Sequence, residues 1–319
     1  MISYSLWIDK KKQAKIYQKN IDYNKNNKTV LVKTIYSGIS KGTEKLVLLK
    51  LISKDQFDLM KAPFQEGTFN LPIKYGYINI GKIIDGPKKM LNKNIFSLFP
   101  HQSLYEIPIK NISILPNSNI KKFILIANME TAINIFWDSK PKKKDKIIII
   151  GLGSVGLLTA YYFKLRKFNH VYVYDSNIKK KNISKYLNLK FIDFYKIKSA
   201  DIVINTSASY NILNNSMKIL SNEGKFIEAS WYGEKKGSVN LGGYFHSKRL
   251  RIISSQVSQI PSYLKDKYDH KKRLKLAINA LKNDKLKKLI TSESAFFNLE
   301  KDYLKVINNK NTIMHLIKY

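Results

Sequence analysis

Four consecutive isoleucines, Ile147 to Ile150, run into Gly151-Leu-Gly153-Ser-Val-Gly156, and about twenty residues on, the apolar stretch Val171 to Tyr174 ends at Asp175. A strand, a glycine turn, a helix and a second strand closed by an acid form the layout that holds a dinucleotide. Gly151 permits the tight turn, Gly153 lets the backbone approach a pyrophosphate, and Gly156 lets the helix pack close on the strand. Free N–H groups at the helix start, from Ser154 and Val155 onward, carry the positive end of the helix dipole and suit phosphates. Ser207, just past the strand expected at Asp201 to Asn205, is expected to join the cofactor contacts. Asp175 should accept from both ribose hydroxyls and repel a 2′-phosphate, which favours NAD over NADP; Lys179, Lys180 and Lys181 pull the other way. The plainer reading is an ordinary strand–turn–helix. Against it, the isoleucine strand, the helical Leu157 to Phe163 and Asp175 all fall where binding needs them.

A chain of 319 residues with 44% hydrophobic and 12% aromatic content has material for two cores. No apolar stretch is long enough to span a bilayer, and the start Met1-Ile-Ser-Tyr-Ser-Leu-Trp has no basic lead into an apolar run, so the cytoplasm is the default expectation. Without cysteine, disulfides and thiolate metal sites are excluded. A net charge of +34 ordinarily points to nucleic acid or an anionic membrane. Here the lysines are scattered and accompany an excess of Ile, Asn and Tyr, residues of AT-rich codons, so neither nucleic acid nor membrane is expected as a partner. The densest basic segment, Lys265 to Lys288, reads as the exposed face of a helix whose apolar side is Leu274, Leu276, Ala277 and Leu281.

The elements that must position the glycine turn follow from the pattern along the chain. Residues 1–125 read as short strands, Thr29 to Tyr36, Ile78 to Ile84, Asn94 to Phe99 and Leu104 to Ile109, separated by turn signals at Ser37-Gly38, Asp85-Gly-Pro87 and Pro116-Asn-Ser. That is a β-rich, barrel-like domain, to which residues 257–319 are expected to return, ending on a strand from Thr312 to Tyr319. Residues 126–256 read as a dinucleotide-binding domain. It opens with a helix through Thr131 to Trp137 and holds further strands at Asp201 to Asn205, Lys225 to Glu228 and Arg251 to Ser255.

This organisation resembles the medium-chain dehydrogenase/reductase superfamily. The strings that carry the likeness are Val30 to Glu44, similar to the strand leading into the active-site loop; Pro72 to Gly81, where the family has Gly-His-Glu; and Ala127-Asn-Met-Glu-Thr131-Ala, where a helix begins against the nicotinamide. Ala62-Pro-Phe-Gln-Glu-Gly67, Phe99-Pro-His-Gln102, Ser230-Trp-Tyr-Gly233 and Leu241 to Leu250 are similar to a bacterial subgroup, related to zinc-type alcohol dehydrogenases, that includes bacteriochlorophyllide hydroxyethyl dehydrogenase. The resemblance spans essentially the whole chain. It implies an α/β protein in which a GroES-like β-rich catalytic domain accompanies a Rossmann doubly wound parallel sheet, with Thr131 positioning nicotinamide.

The resemblance also implies a catalytic zinc, and here the residues depart from it. Ser40, Tyr77 and Ala127 stand at the three ligand positions, and none is a good zinc ligand; Glu130 replaces the third only if the helix slips by a turn. No zinc is therefore expected. Hydride transfer still needs a group that exchanges a proton with the substrate oxygen. His101 lies in a string that lines the family's cleft, His246 in the Gly-Gly-Tyr-Phe-His-Ser segment, and each is equally well read as a histidine satisfied in a loop. Tyr77 is a phenol donor or a filler of the vacated metal pocket, Glu130 an orienting group or a helix cap, and Glu44 and Glu66 read as loop hydrogen-bonders.

The expectation is an NAD-dependent, zinc-independent oxidoreductase that interconverts a secondary alcohol and a ketone, with His101, Tyr77 and Glu130 as catalytic candidates. A zinc-free quinone or enone reductase and a non-catalytic nucleotide-binding protein stay open. So does a homodimer beside the small-molecule substrate. Fluorescence titration should show NADH binding more tightly than NADPH, with Asp175→Ser narrowing the gap; equal native affinities would remove the assignment of Asp175.

Overall fold

A computed structural model describes residues 1–24, 26–117 and 119–319. The chain divides into two compact units, Met1–Ala127 with Ile290–Tyr319, and Asn128–Leu289.

The first unit begins with a hairpin that the strand pattern did not pick out, β1 (Ile2–Ile8) and β2 (Ala14–Asn20), antiparallel in register from Ile2 opposite Asn20 to Ile8 opposite Ala14. Its turn is closed by the Asp9 carboxylate accepting from the Gln13 N–H at 2.9 Å, with Lys12 left-handed at φ 63°. The long β3 (Thr29–Ile39) follows and passes directly into α1 (Lys41–Leu49). Next come β4 (Glu66–Gly67), β5 (Ile73–Lys74), β6 (Asn79–Asp85), β7 (Asn94–Ser97), β8 (Leu104–Pro108) and β9 (Ile112–Ile114). The four strands expected between residues 29 and 109 are present, because their β-branched residues alternate with polar ones over a buried face. That face holds Val30, Val32, Ile83, Ile95, Tyr105 and Ile107, each 1% exposed or less.

The second unit opens with α2 (Ile126–Ser139), then alternates: β10 (Ile147–Ile150), α3 (Ser154–Leu165), β11 (Val171–Tyr174), α4 (Lys180–Tyr186), β12 (Lys190–Phe191), β13 (Ala200–Asn205), α5 (Tyr210–Ile219), β14 (Leu220–Glu228), β15 (Arg251–Ser254) and α6 (His270–Ala280). The sheet order is β12-β11-β10-β13-β14-β15, all parallel, which is the doubly wound arrangement with its switch point beside β10. Ile147 to Ile150 are all buried, as a strand covered on both faces requires.

The chain then returns to the first unit through β16 (Ile290–Ala295), α7 (Leu299–Asn308) and β17 (Met314–Lys318). Its sheets run β2-β1-β5-β4 and β16-β17-β3-β6-β7-β9, with β8 also on β3.

Residues 257–289, expected with the first unit, pack instead within the second. A buried arginine helps to tie them there. Arg273, 1% exposed, donates from Nε to Glu130 Oε1 at 3.0 Å, and its terminal nitrogens reach Asn134 Oδ1 and the Val257 carbonyl, both at 2.5 Å. The basic helix is thus not merely a solvated face. Ala277 and Leu281 are buried as expected, but Leu274 and Leu276 are half-buried and the arginine takes the central place. Because removal of one partner strands a buried charge, Arg273→Ala should cost about 3–5 kcal/mol in denaturant unfolding. Glu130→Gln keeps an acceptor for Nε but leaves the buried guanidinium without its counter-charge, so it should cost nearly as much; a negligible loss would mean that charge pairing is not what anchors α6.

Candidate functional site

The glycine turn meets the conditions set by its residue types. Gly151 has φ +92°, and a Cβ there would lie 2.8 Å from the Ser207 nitrogen. A Cβ on Gly156 would come within 1.8 Å of the Gly151 carbonyl oxygen, so α3 sits on β10 at a distance only glycine allows. Gly153, which precedes the helix at φ −73° and ψ −170°, has no heavy atom within 4 Å of the same position. Ser154 and Val155 form the first helical turn, half-buried, and no side chain caps it. A free helix terminus beside open ground fits a pyrophosphate.

Asp175 ends β11 as expected, but its carboxylate is already engaged: Oδ2 accepts from the Leu152 N–H at 2.6 Å and Oδ1 from the Asn177 N–H at 2.7 Å. It ties the glycine turn to the neighbouring strand end. A carboxylate has about four lone-pair sites, so two remain for ribose hydroxyls. Of the downstream lysines, Lys180 is buried, whereas Lys179 and Lys181 are exposed.

Ser207 belongs to a network on the carboxyl edge of β13 and β14 that sequence reasoning did not foresee. Its Oγ donates to Asn205 Oδ1 at 2.6 Å; Asn205 Nδ2 donates to Glu228 Oε2 at 2.9 Å; and Tyr232 donates its hydroxyl to the same oxygen at 2.9 Å. Burial pushes the pKa values of Glu228 and Tyr232 upward. The only signal was the Ser230-Trp-Tyr-Gly233 string, which marks the loop but not the acid before it. Thr131 lies half-buried on α2. On the same helix Glu130 is committed to Arg273, which opposes the rise in pKa that its burial causes.

In the first unit, Ser40 just before α1 and Tyr77 just before β6, two of the three positions compared with zinc ligands, come into one neighbourhood. Tyr77 donates its hydroxyl to Thr43 Oγ1 at 3.3 Å, and a hydrogen bond involving Ser40 also acts on the phenol. Burial raises the Tyr77 pKa more than these bonds lower it, so the phenol is neutral at pH 7. A hydroxyl, a phenol and the methyl of Ala127 do not make a zinc donor set. Among the described residues, no group of three or more His, Cys, Asp or Glu side chains is placed to hold a metal ion.

His101, expected to line a cleft, is 1% exposed. Its Nδ1 meets Ser37 Oγ at 2.9 Å and its Nε2 meets Glu44 Oε2 at 3.2 Å. Glu44 in turn accepts from Tyr303 at 2.9 Å and from the Ser40 N–H at 2.7 Å. The imidazole also rests against Gly76, where φ is +115° and a Cβ would fall 2.8 Å from the ring. Both nitrogens are used, so a substrate has no free one to meet. Of the other histidines, His170, His246 and His270 are exposed, and His315 is enclosed by Ser292 and Ser294, its pKa lowered by burial to about 4.

No family model and no curated protein matches the sequence. Solved structures do share its fold. L-idonate 5-dehydrogenase from Escherichia coli K-12 superposes with a TM-score of 0.79 at 13% identity, covering 100% of this chain and 99% of that one. A protein described as a short chain alcohol dehydrogenase from E. coli CFT073, complexed with NADH, gives 0.77 at 15% identity, with 100% and 99% covered. A protein described as a zinc-binding dehydrogenase from Sinorhizobium meliloti 1021, bound to NADP, gives 0.78 at 13% identity over 100% of both chains. The chain therefore has the fold of these dehydrogenases, with a GroES-like β-rich unit and a Rossmann unit.

Two glycine substitutions should separate binding from folding. Gly153→Val projects into open ground, so it should weaken NADH binding at least about tenfold through lost phosphate hydrogen bonds while leaving the thermal midpoint unchanged. Gly156→Ala meets backbone and should destabilise by at least about 1–3 kcal/mol. Native NADH affinity in folded Gly153→Val would place the cofactor elsewhere.

Proposed function

We propose that the protein is an NAD-dependent oxidoreductase that interconverts a secondary alcohol and a ketone without zinc. The observation that carries this reading is the glycine turn. A left-handed Gly151, an open Gly153, a Gly156 in backbone contact and an uncapped helix start stand together at the switch point of a doubly wound sheet. Likeness in fold to proteins solved with NADH and with NADP supports a nicotinamide cofactor. Asp175, with two lone-pair sites left, supports the unphosphorylated form.

A nicotinamide held there would supply the hydride chemistry between alcohol and ketone. The remaining tasks fall to the chain. The first-turn N–H groups of α3 would hold the pyrophosphate and Asp175 would orient the ribose, while the Asn205–Glu228–Tyr232 network fixes Ser207 at the strand edge. Oxidation leaves one proton to remove from the alcohol oxygen, and reduction requires one to be added. Tyr77 is the group offered for this, since the residue is half-buried and its neutral phenol is hydrogen-bonded to Thr43. His101 is assigned a positioning role: through Glu44 it holds the Ser40 N–H at the start of α1.

Tyr77→Phe should lower ketone reduction by about 10²–10⁴-fold while the NADH dissociation constant stays unchanged. Because burial raises the phenol pKa, the donor form persists through neutrality, and the native reduction rate should fall only above the ordinary tyrosine range. Reduction of enones at full rate by Tyr77→Phe would favour the quinone-reductase alternative. About one zinc per chain, lost together with activity on chelation, would overturn the metal-free reading.

A further inference from the structure

The small sheet of the first unit carries a cleft that the proposed hydride chemistry does not use. Its volume is about 660 Å³, within the range of small-molecule sites. Three cross-strand rows carry its lining residues, Lys15 alone among those in the rows standing outside the lining. Trp7 lies in register between Lys15 on β2 and Lys74 on β5, and Lys74 is opposite Glu66 on β4. Ser5 is opposite Tyr17, and Ser3 opposite Lys19. Register partners share a face, so these side chains converge on one side of the sheet.

The floor is polar and buried, which is unusual for a surface with no evident duty. Ser3, Ser5, Lys74 and Gln102 are 1%, 8%, 4% and 8% exposed, and all four line the cleft. They are held in place by one another. Gln102 Nε2 donates to Ser3 Oγ at 3.1 Å and to the Leu104 carbonyl at 2.8 Å, Lys74 donates to Gln102 Oε1 at 2.8 Å and pairs with Glu66, and the Trp7 indole N–H donates to Ser5 Oγ at 3.0 Å. Two of the three Lys74 ammonium hydrogens are thereby spent, leaving one for a ligand, and the Ser5 hydroxyl accepts while keeping its own hydrogen. Burial lowers the Lys74 pKa and Glu66 opposes the shift. The walls are the edge-to-face pair Trp7 and Tyr17, with Tyr17 52% exposed.

Charge narrows the ligand. In a chain of net charge +34 the lining holds two lysines, Lys19 and Lys74, against two carboxylates, Asp22 and Glu66. A local balance within such a basic molecule does not select an anion. It offers donors and acceptors together beside aromatic faces, and a hydroxyl group needs both roles while the C–H face of a sugar ring packs on an aromatic side chain. We propose that this cleft is a binding site for an uncharged polyhydroxylated ring of saccharide size, with Lys74, Ser5 and Glu66 taking its hydroxyls and Trp7 and Tyr17 its C–H face. The site lies wholly within the first unit, and the proposal does not depend on the hydride reading.

The test uses the full chain with maltose and myo-inositol as probes, inorganic phosphate and citrate as anionic comparisons, and saturation-transfer NMR with tryptophan emission as readouts. Saturable binding of maltose or myo-inositol is expected, weakened at least about tenfold by Trp7→Ala and by Lys74→Met, with NADH affinity unchanged. Tyr17→Ala removes an exposed ring that the fold does not need, so it keeps the test valid if the buried substitutions prevent folding; it too should weaken binding. Absence of saturable binding of both polyols, binding that survives in folded Trp7→Ala or Tyr17→Ala, or preferential binding of phosphate or citrate would each overturn the proposal.

Discussion

Helix α3 can begin where it does only because two glycines let backbone meet backbone. With the Gly156 position 1.8 Å, at Cβ range, from the Gly151 carbonyl oxygen, no other residue admits that approach. The Thr206 hydroxyl donates to the same carbonyl at 2.6 Å, and Asp175 holds the Leu152 N–H, so β13 and β11 are both tied to one turn. The switch point of the sheet and the uncapped helix start are consequences of this contact. Side-chain chemistry enters only afterwards.

Scarce acids organise the rest. The chain has 23 Asp and Glu against 57 Lys and Arg, so most cations have no carboxylate to pair with. Several of the acids go where a buried donor would otherwise be stranded: Glu44 under His101 and Tyr303, Glu130 against Arg273, Glu228 against Asn205 and Tyr232. Burial costs each carboxylate its hydration, and only a full set of donors offsets that cost. These networks are accordingly rigid, which suits residues that position others. Tyr77 differs, since it is half-buried, neutral and hydrogen-bonded only through its own hydroxyl.

The departures that concern buried polar residues share one cause. His101 and Glu130 have the right chemistry for catalysis, and both are consumed by partners 57 and 143 residues away in the chain. The hairpin of β1 and β2 escaped notice because Ala14–Asn20 is mostly exposed and lacks an apolar alternation. The helix at Lys265 to Lys288 was legible from Ala277 and Leu281, whereas its buried Arg273 looked like one more surface cation.

By itself the sequence determined what depends on neighbours in the chain: the all-isoleucine strand buried on both faces, the glycine spacing that makes a tight strand-to-helix turn, the acid at the next strand end, and the residue types that make a poor zinc set. Such features are local, and steric or solvation rules act on them directly. Only the tertiary structure decided which polar groups meet inside the fold. It placed Lys74 between Trp7 and Glu66, committed Glu44 to His101, and drew residues 257–289 to the second unit, partly through Arg273. The physical reason is that a buried hydrogen bond is specified by two distant segments at once, and neither segment carries the identity of its partner.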